Sequence, residues 1–516
     1  MALDYIILGL YALSMVGIAV YTHNRSKSVN DFLLAGKKGL NGWMSAFSYG
    51  TTYFSAVVFI GYAGKFGQAY GLAAVWIGIV NAIAGALIAW LLLAKRTKNM
   101  TARLSAKTMP EFFEKRYGSK NIKLLSAIVI FLFLIPYSAS VYNGLSSLFA
   151  IVFGIPGWVV MVLLAVLTAV YLFFGGYFAT ALSDFIQGII MLVGVVLMVI
   201  CFMNHDNVSW DLSKLADDVN KTWFTFGNTE NYKGIYGPTV SLISLILLTS
   251  FGVWGLPQTI HKYYAIRDKK AITQGVIVST AFALIIGFGA YFVGALAGLF
   301  PEHLVGVSAD NVIPVLLAKV IPAGLMGVIV VLILSASMST LASVSLASAS
   351  VVAVDIYKGK INTSASDKRV NTVMRALCLV FILISVVIAL VNTRYEVAAI
   401  AYMMGISWGT LSGCFIGPFV IGLYWKRVTR SAVWSSIVSS LVLTVSLIIF
   451  FGYHQNGFAC SFGAALKAGV GCSPMIGVIC MMFSVIITVA VSLLTKKPSD
   501  DIISEAFDKY IENEIA

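Results

Sequence analysis

Ser335-Ala336-Ser337-Met338-Ser339-Thr340 lies deep inside one of the most apolar segments of the chain, and further hydroxyls follow at Ser343, Ser345, Ser348 and Ser350. On a helix, Ala336, Ser339, Thr340 and Ser343 fall at i, i+3, i+4 and i+7, so they share one face. A lipid-facing helix gains nothing from such a row. Two readings stand. Small residues let helices approach closely, so the row is a packing face. Alternatively, aligned hydroxyl oxygens suit a small hard cation such as Na⁺. The rest of the chain has to decide between them.

Of 516 residues, 59% are hydrophobic and only 11% charged, and the mean hydropathy is +0.91. That composition is an integral membrane protein. A helix needs about 20 apolar residues to cross the hydrocarbon. Thirteen runs meet that need, the first near 3–22 and the last near 475–495. Met1–Tyr21 has Asp4 ahead of its apolar run, no basic leader region and no convincing cleavage site, so it reads as a span and not a signal peptide.

The net charge of +13 is dispersed through alternate loops and is no nucleic-acid signal. Lys and Arg crowd the connections after the first span (Arg25, Lys27, Lys37, Lys38), the third (Lys95 to Lys123), and those around Lys262, Lys358, Lys426 and Lys496. The positive-inside bias puts the N-terminus outside and the C-terminus in the cytoplasm. Cys201, Cys378, Cys414 and Cys480 read as small apolar fillers. Cys460 and Cys472 share one external loop, where a disulfide or two free thiols are both open. Asn207-Val208-Ser209 and Asn220-Lys221-Thr222 match the glycosylation pattern. In the acidic tail, Ile503, Phe507 and Ile511 recur every fourth residue, as in a short amphipathic helix.

Two spans are interrupted. One contains Ser48-Tyr49-Gly50-Thr51-Thr52-Tyr53-Phe54-Ser55, followed by Gly61, Gly64 and Gly67; the other contains Gly252-Val253-Trp254-Gly255-Leu256-Pro257-Gln258. Irregular backbone at membrane depth is tolerated only where it lines a cavity or is buried in protein. Transporters use such breaks to present carbonyls and helix ends to ions and substrates; a simple kink is the plainer reading. The spacing favours function. Each break falls in the first helix of a block of five, and an odd number of spans makes the two blocks opposite in topology. Asp184, directly after Ser183, is either an interfacial helix N-cap or a group facing an ion exit path.

These segments resemble the sodium:solute symporter family over nearly the whole chain, to about Lys497. The most specific part is Ala336-Ser337-Met338-Ser339-Thr340 followed by Asp355-Ile356-Tyr357-Lys358. Phe174-Gly175-Gly176, Ser183-Asp184-Phe185-Ile186-Gln187-Gly188 and Gly255-Leu256-Pro257-Gln258 support it. The resemblance implies an all-α membrane protein with the LeuT-like fold of two inverted five-helix repeats, multi-pass in a cell membrane of the bacterial inner-membrane type. The expected plan is a first span and basic loop (1–40), the first repeat (41–203), an extracellular loop (204–236), the second repeat (237–424), two peripheral spans (425–497) and a cytoplasmic tail (498–516). It also implies a co-transported Na⁺ held by backbone carbonyls of Thr51, Phe54 and Ala336 and by the hydroxyls of Ser339 and Thr340. Asp184 matches the family's acidic residue near the sodium route.

The implied activity is Na⁺-coupled symport of a small organic solute by alternating access, with membrane lipid as the surroundings. Proline carriers of the family use an Asp where this chain has Tyr53, and aromatic and hydroxyl positions where it has Thr249 and Val253. Thr52 to Gly61, Phe251 to Pro257 and Asn311-Val312-Ile313-Pro314 look closer to the pantothenate carriers. The expectation is therefore pantothenate or a similar carboxylate, with proline, another amino acid or a proton-coupled solute as alternatives. Tyr53, Ser55, Tyr137, Asn143, Trp254, Gln258 and Tyr402 are the expected solute-pocket residues, and each has a packing role as its plainer reading. Lys65 either draws in an anion or snorkels. A channel would need a continuous polar stripe, and the spans carry isolated polar clusters. No acid–base pair, nucleophile or phosphate loop suggests an enzyme.

Overall fold

The computed structural model describes residues 2–22, 28–34, 39–216, 223, 237–395 and 397–507. Arg25, Lys27, Lys37 and Lys38, the Asn220 motif, Ile511 and most of the 204–236 loop lie outside them. Among the described residues, 11 helices are long and apolar enough to cross a membrane. Two of these fold back on themselves. Gly157–Asn204 has 48 residues; as one straight rod it would be about 72 Å long, more than twice the hydrocarbon thickness. It reverses at Gly176, whose φ of 61° and ψ of −162° lie outside helical geometry. As a result the hydroxyls of Tyr171 and Ser183 meet at 2.6 Å. Val57–Arg103 turns at Gly71, and Gly67 and Gly78 on either side of the turn pack against Gly294 and Gly287 of one helix, Lys269–Leu296. The described residues therefore make thirteen crossings, as the apolar runs predicted, and the ends lie on opposite faces.

Both interruptions are real breaks. Gly42–Tyr53 starts at Asn41, whose side chain accepts from the Met44 amide, and stops at Phe54 in extended geometry. Val58 N–H then bonds to the Ser55 carbonyl and not to that of Phe54, so the Phe54 carbonyl lacks its usual helical donor. The chain resumes in a wide turn, Val57–Tyr62, that leads into Ala63–Tyr70. In the other break, Gly237–Phe251 tightens through Gly252–Trp254, becomes extended at Leu256 and restarts at Pro257. Proline at a first helical position loses no hydrogen bond. The inner ends of the two broken helices are tied together: Leu40 N–H donates to Ala265 C=O at 2.7 Å and Arg267 N–H to Leu40 C=O at 3.0 Å.

Burial sorts the spans. In the most apolar 18 residues of Met326–Ile361, 94% are buried, against 28% in those of Ala2–Thr22 and of Arg430–Gln455. The hydroxyl-bearing helix is thus the centre of the molecule and the latter two are peripheral. Asp4 of the first span caps that central helix, its Oδ1 accepting from Gly327 N–H at 2.8 Å. On the cytoplasmic side, Arg116 is fully buried and donates to the carbonyls of Gly422 and Trp425 at 3.2 and 3.1 Å. The described part of the tail, Asp500–Phe507, lies over this corner, with Phe507 beneath the Arg116 guanidinium. Cys460 and Cys472 are free thiols, and Gln455 donates to Cys472 Sγ.

Candidate ion and solute site

The inner half of the first broken helix runs alongside the central helix, and their hydroxyls face one another. Thr52 Oγ1 and Ser343 Oγ meet at 2.9 Å across 291 residues of sequence. Thr340 Oγ1 donates to the Ala336 carbonyl at 3.1 Å, so these two expected sodium ligands are adjacent. Thr51 Oγ1 donates back to Phe47 C=O at 2.8 Å, leaving its role to the backbone carbonyl. Ser339 Oγ is fully buried and has no hydrogen-bond partner. Tyr137 OH is buried and interacts with the side chains of Ser55 and Thr340. Ser335, Ser345 and Ser348 of the Ser339 helix are buried without partners as well.

Asp184 is not an interfacial N-cap. It lies about two turns into its helix beyond Gly176, fully buried. Its Oδ2 accepts from Ser48 Oγ at 2.6 Å and pairs with Lys262 Nζ at 3.4 Å. Lys262 also donates to Ser343 Oγ at 2.8 Å and Ser48 Oγ at 3.0 Å. Asp184 Oδ1 is buried without a partner, on the side of Ser339. Lys262, which the sequence groups with a basic connection, is only 2% exposed. Neither Lys262 nor Ser48 stood out in sequence. One basic residue in a basic loop looks like every other, and only the fold turns this one inward.

Between the breaks lies an aromatic cluster. The Tyr53 ring stacks on Trp408 with centroids 6.1 Å apart, and Trp408 meets the edge of Tyr137 at 5.7 Å. Tyr53 OH donates to the Thr249 carbonyl at 2.8 Å, and Trp254 Nε1 to the Ala84 carbonyl at 3.0 Å. Asn81 Oδ1 accepts from both Thr249 and Ser250, at 2.9 and 2.8 Å. Gln258 is buried four residues beyond Trp254, its Oε1 unpartnered. Ser55 Oγ accepts from Val57 N–H and starts the outer half-helix. Trp408 was missed in sequence, since an indole within an apolar run reads as core.

Two expected pocket residues stand apart, on the extracellular side. Asn143 lines an outer cavity of about 530 Å³ with Ser147, Asp310, Asn311, Thr393 and Lys467. Tyr402 packs under Lys65, whose Nζ sits 3.6 Å from the ring centre. The Lys65 charge rests on an aromatic face.

Comparison with known proteins agrees with this architecture. The chain is 29% identical over 507 residues to the osmoregulated proline transporter OpuE of Bacillus subtilis (strain 168), covering 97% of this chain and 96% of that one. It is 27% identical over 508 residues to a sodium/proline symporter of Staphylococcus aureus (strain JH9), covering 96% and 93%. A Na⁺-coupled sialic acid symporter, solved in a substrate-bound outward-open state, superposes with a TM-score of 0.76 at 20% identity, over 96% of this chain and 99% of that one. A nucleobase-cation-symport-1 family transporter in a closed conformation gives 0.51 at 12% identity, over 93% and 98%. The fold is the LeuT-like one of two inverted five-helix repeats. The profile of the sodium:solute symporter family matches residues 32–439, and this chain belongs to that family, as a multi-pass cell-membrane protein that carries a solute with Na⁺.

Proposed function

We propose that the solute is a small amino acid of the proline type, and that the Na⁺ is held by the carbonyls of Thr51, Phe54 and Ala336 with the hydroxyls of Ser339 and Thr340. The relationship to two proline transporters along nearly the whole chain carries this reading. It reverses the order expected from sequence, which placed pantothenate first because Tyr53 stands where proline carriers have Asp. The geometry supplies a reason. Tyr53 makes a polar bond from the first break to the second, through Thr249 C=O, so this position bridges the breaks without a carboxylate. The faces of Tyr53, Tyr137 and Trp408 offer an apolar wall for a compact ring and a π surface for a secondary ammonium. Asp184 and the two breaks would then serve the 41–203 and 237–424 repeats as ion route and hinge.

Uptake into proteoliposomes tests the assignment. Labelled proline and pantothenate are supplied under an imposed Na⁺ gradient, with K⁺ in place of Na⁺ and a proton gradient alone as controls. Na⁺-driven proline uptake is expected. Pantothenate uptake without proline uptake would restore the first ranking. Uptake driven by protons alone would remove the sodium assignment.

A further inference from the structure

We infer that the Lys262 ammonium is a built-in cation filling a second oxygen cage, on the cytoplasmic side of the proposed sodium site, and that removing it opens this cage to a second Na⁺. The inference rests on the sodium site proposed above. An ammonium has three N–H donors, and Lys262 finds three buried oxygens from three separate helices: Ser343 Oγ at 2.8 Å, Ser48 Oγ at 3.0 Å and Asp184 Oδ2 at 3.4 Å. Two hydroxyls and a carboxylate are hard-cation ligands, of the kind that also suits Na⁺. The four side chains are all 5% exposed or less. The Tyr177 ring, 5.2 Å from Nζ, closes a further side of the cage.

The cage and the proposed sodium site share a wall. Ser343 lies one helical turn beyond Ser339 and Thr340. Asp184 Oδ1 and Ser339 Oγ are both buried without a geometric hydrogen-bond partner, and the Asp184 carboxyl lies close enough to the hydroxyl of Ser339, a proposed sodium ligand, to interact with it. With Lys262 in place the Asp184 carboxylate is matched by one positive charge, and a second Na⁺ would bury a net positive charge at a cost of several kcal/mol. Without the ammonium, the same oxygens surround an unmatched anion, and a Na⁺ would neutralise it. Lys262 thereby fixes the number of ions the transporter can hold. It also places the ammonium of this cage on the inner half of the second broken helix, opposite Ser48 on the inner half of the first.

The test counts sodium ions. Purified wild type and Lys262→Met, which keeps the stem and loses the charge, are compared by equilibrium ²²Na⁺ binding in detergent and by the ²²Na⁺ to solute flux ratio in proteoliposomes. Wild type is expected to hold about one Na⁺ and Lys262→Met about two, with the variant's Hill coefficient for Na⁺ rising accordingly. Lys262→Met/Asp184→Asn should return to one. Binding needs no turnover, so it reads out even if the variant transports poorly, and a Na⁺-dependent rise in melting temperature reports whether each variant is folded. Two ions in wild type, or one in folded Lys262→Met, would overturn the inference while leaving the sodium site intact. No Na⁺ binding by wild type would instead sink the sodium site itself.

Discussion

Tyr53 and Thr249, 196 residues apart, join the two broken helices through one hydrogen bond of 2.8 Å from phenol to backbone carbonyl. Each lies in the interrupted span of its own repeat. The bond therefore crosses the pseudo-symmetric centre, where alternating access requires the repeats to move against each other. Removing the hydroxyl leaves the ring stacked on Trp408 and a buried carbonyl short of a donor. Tyr53→Phe should raise the KM for solute several-fold, matching about 1–2 kcal/mol for an orphaned buried acceptor, with little change in the Na⁺ concentration for half-maximal uptake. Equal changes in both parameters would place Tyr53 in the ion site.

Ser339→Ala/Thr340→Ala removes two of the five proposed sodium oxygens and keeps the packing of a small-residue helix. At about 1 kcal/mol each, half-maximal Na⁺ should rise roughly tenfold or more. Initial uptake rates across a Na⁺ series measure it, and an unchanged series in folded protein removes these hydroxyls from the mechanism.

Asp184→Asn leaves the Lys262 ammonium buried without its counter-charge. Breaking a buried pair from one side costs about 3–5 kcal/mol, while replacing both partners is far milder. The single variant should melt well below wild type in detergent, and Lys262→Met/Asp184→Asn should recover most of the loss. Additive losses in this double-mutant cycle would show that the pair does not interact.

Arg116 is the cytoplasmic counterpart of such a buried charge, but its partners are carbonyls at the end of the Ile400–Tyr424 span. Arg116→Met keeps the stem and strands those carbonyls, and should cost about 1–3 kcal/mol, read as a lower melting temperature with unchanged Na⁺ affinity in the protein that stays folded.

Asp310, at the outer cavity, accepts from Ile400 N–H at 3.0 Å, and burial raises its pKa above the usual carboxylate value. A carboxyl whose folded pKa is raised contributes stability that is full below its unfolded pKa and is lost as pH rises through the folded one. Asp310→Asn keeps an acceptor for Ile400 and does not titrate, so it should flatten that decline in melting curves taken from about pH 4 to 7. A wild-type curve already flat across this window would contradict the shift.

The membrane class, the thirteen crossings, the two breaks and the family were all legible in the linear sequence. Hydropathy, glycine and proline act locally, and a row at i, i+3, i+4 and i+7 needs only helical geometry to share a face. Sequence could not settle whether that row faced a ligand or a neighbour. Packing settles its surroundings, because it buries Met326–Ile361 at the centre and sets Ser48 and Thr52 against it. The partners of Asp184 were equally hidden. Ser48 and Lys262 lie 136 and 78 residues away along the chain, and nothing in a Lys beside a basic loop tells whether its stem turns to water or to the core. A buried charge is held by what the fold brings within a few ångströms, and that proximity is a property of the tertiary structure alone.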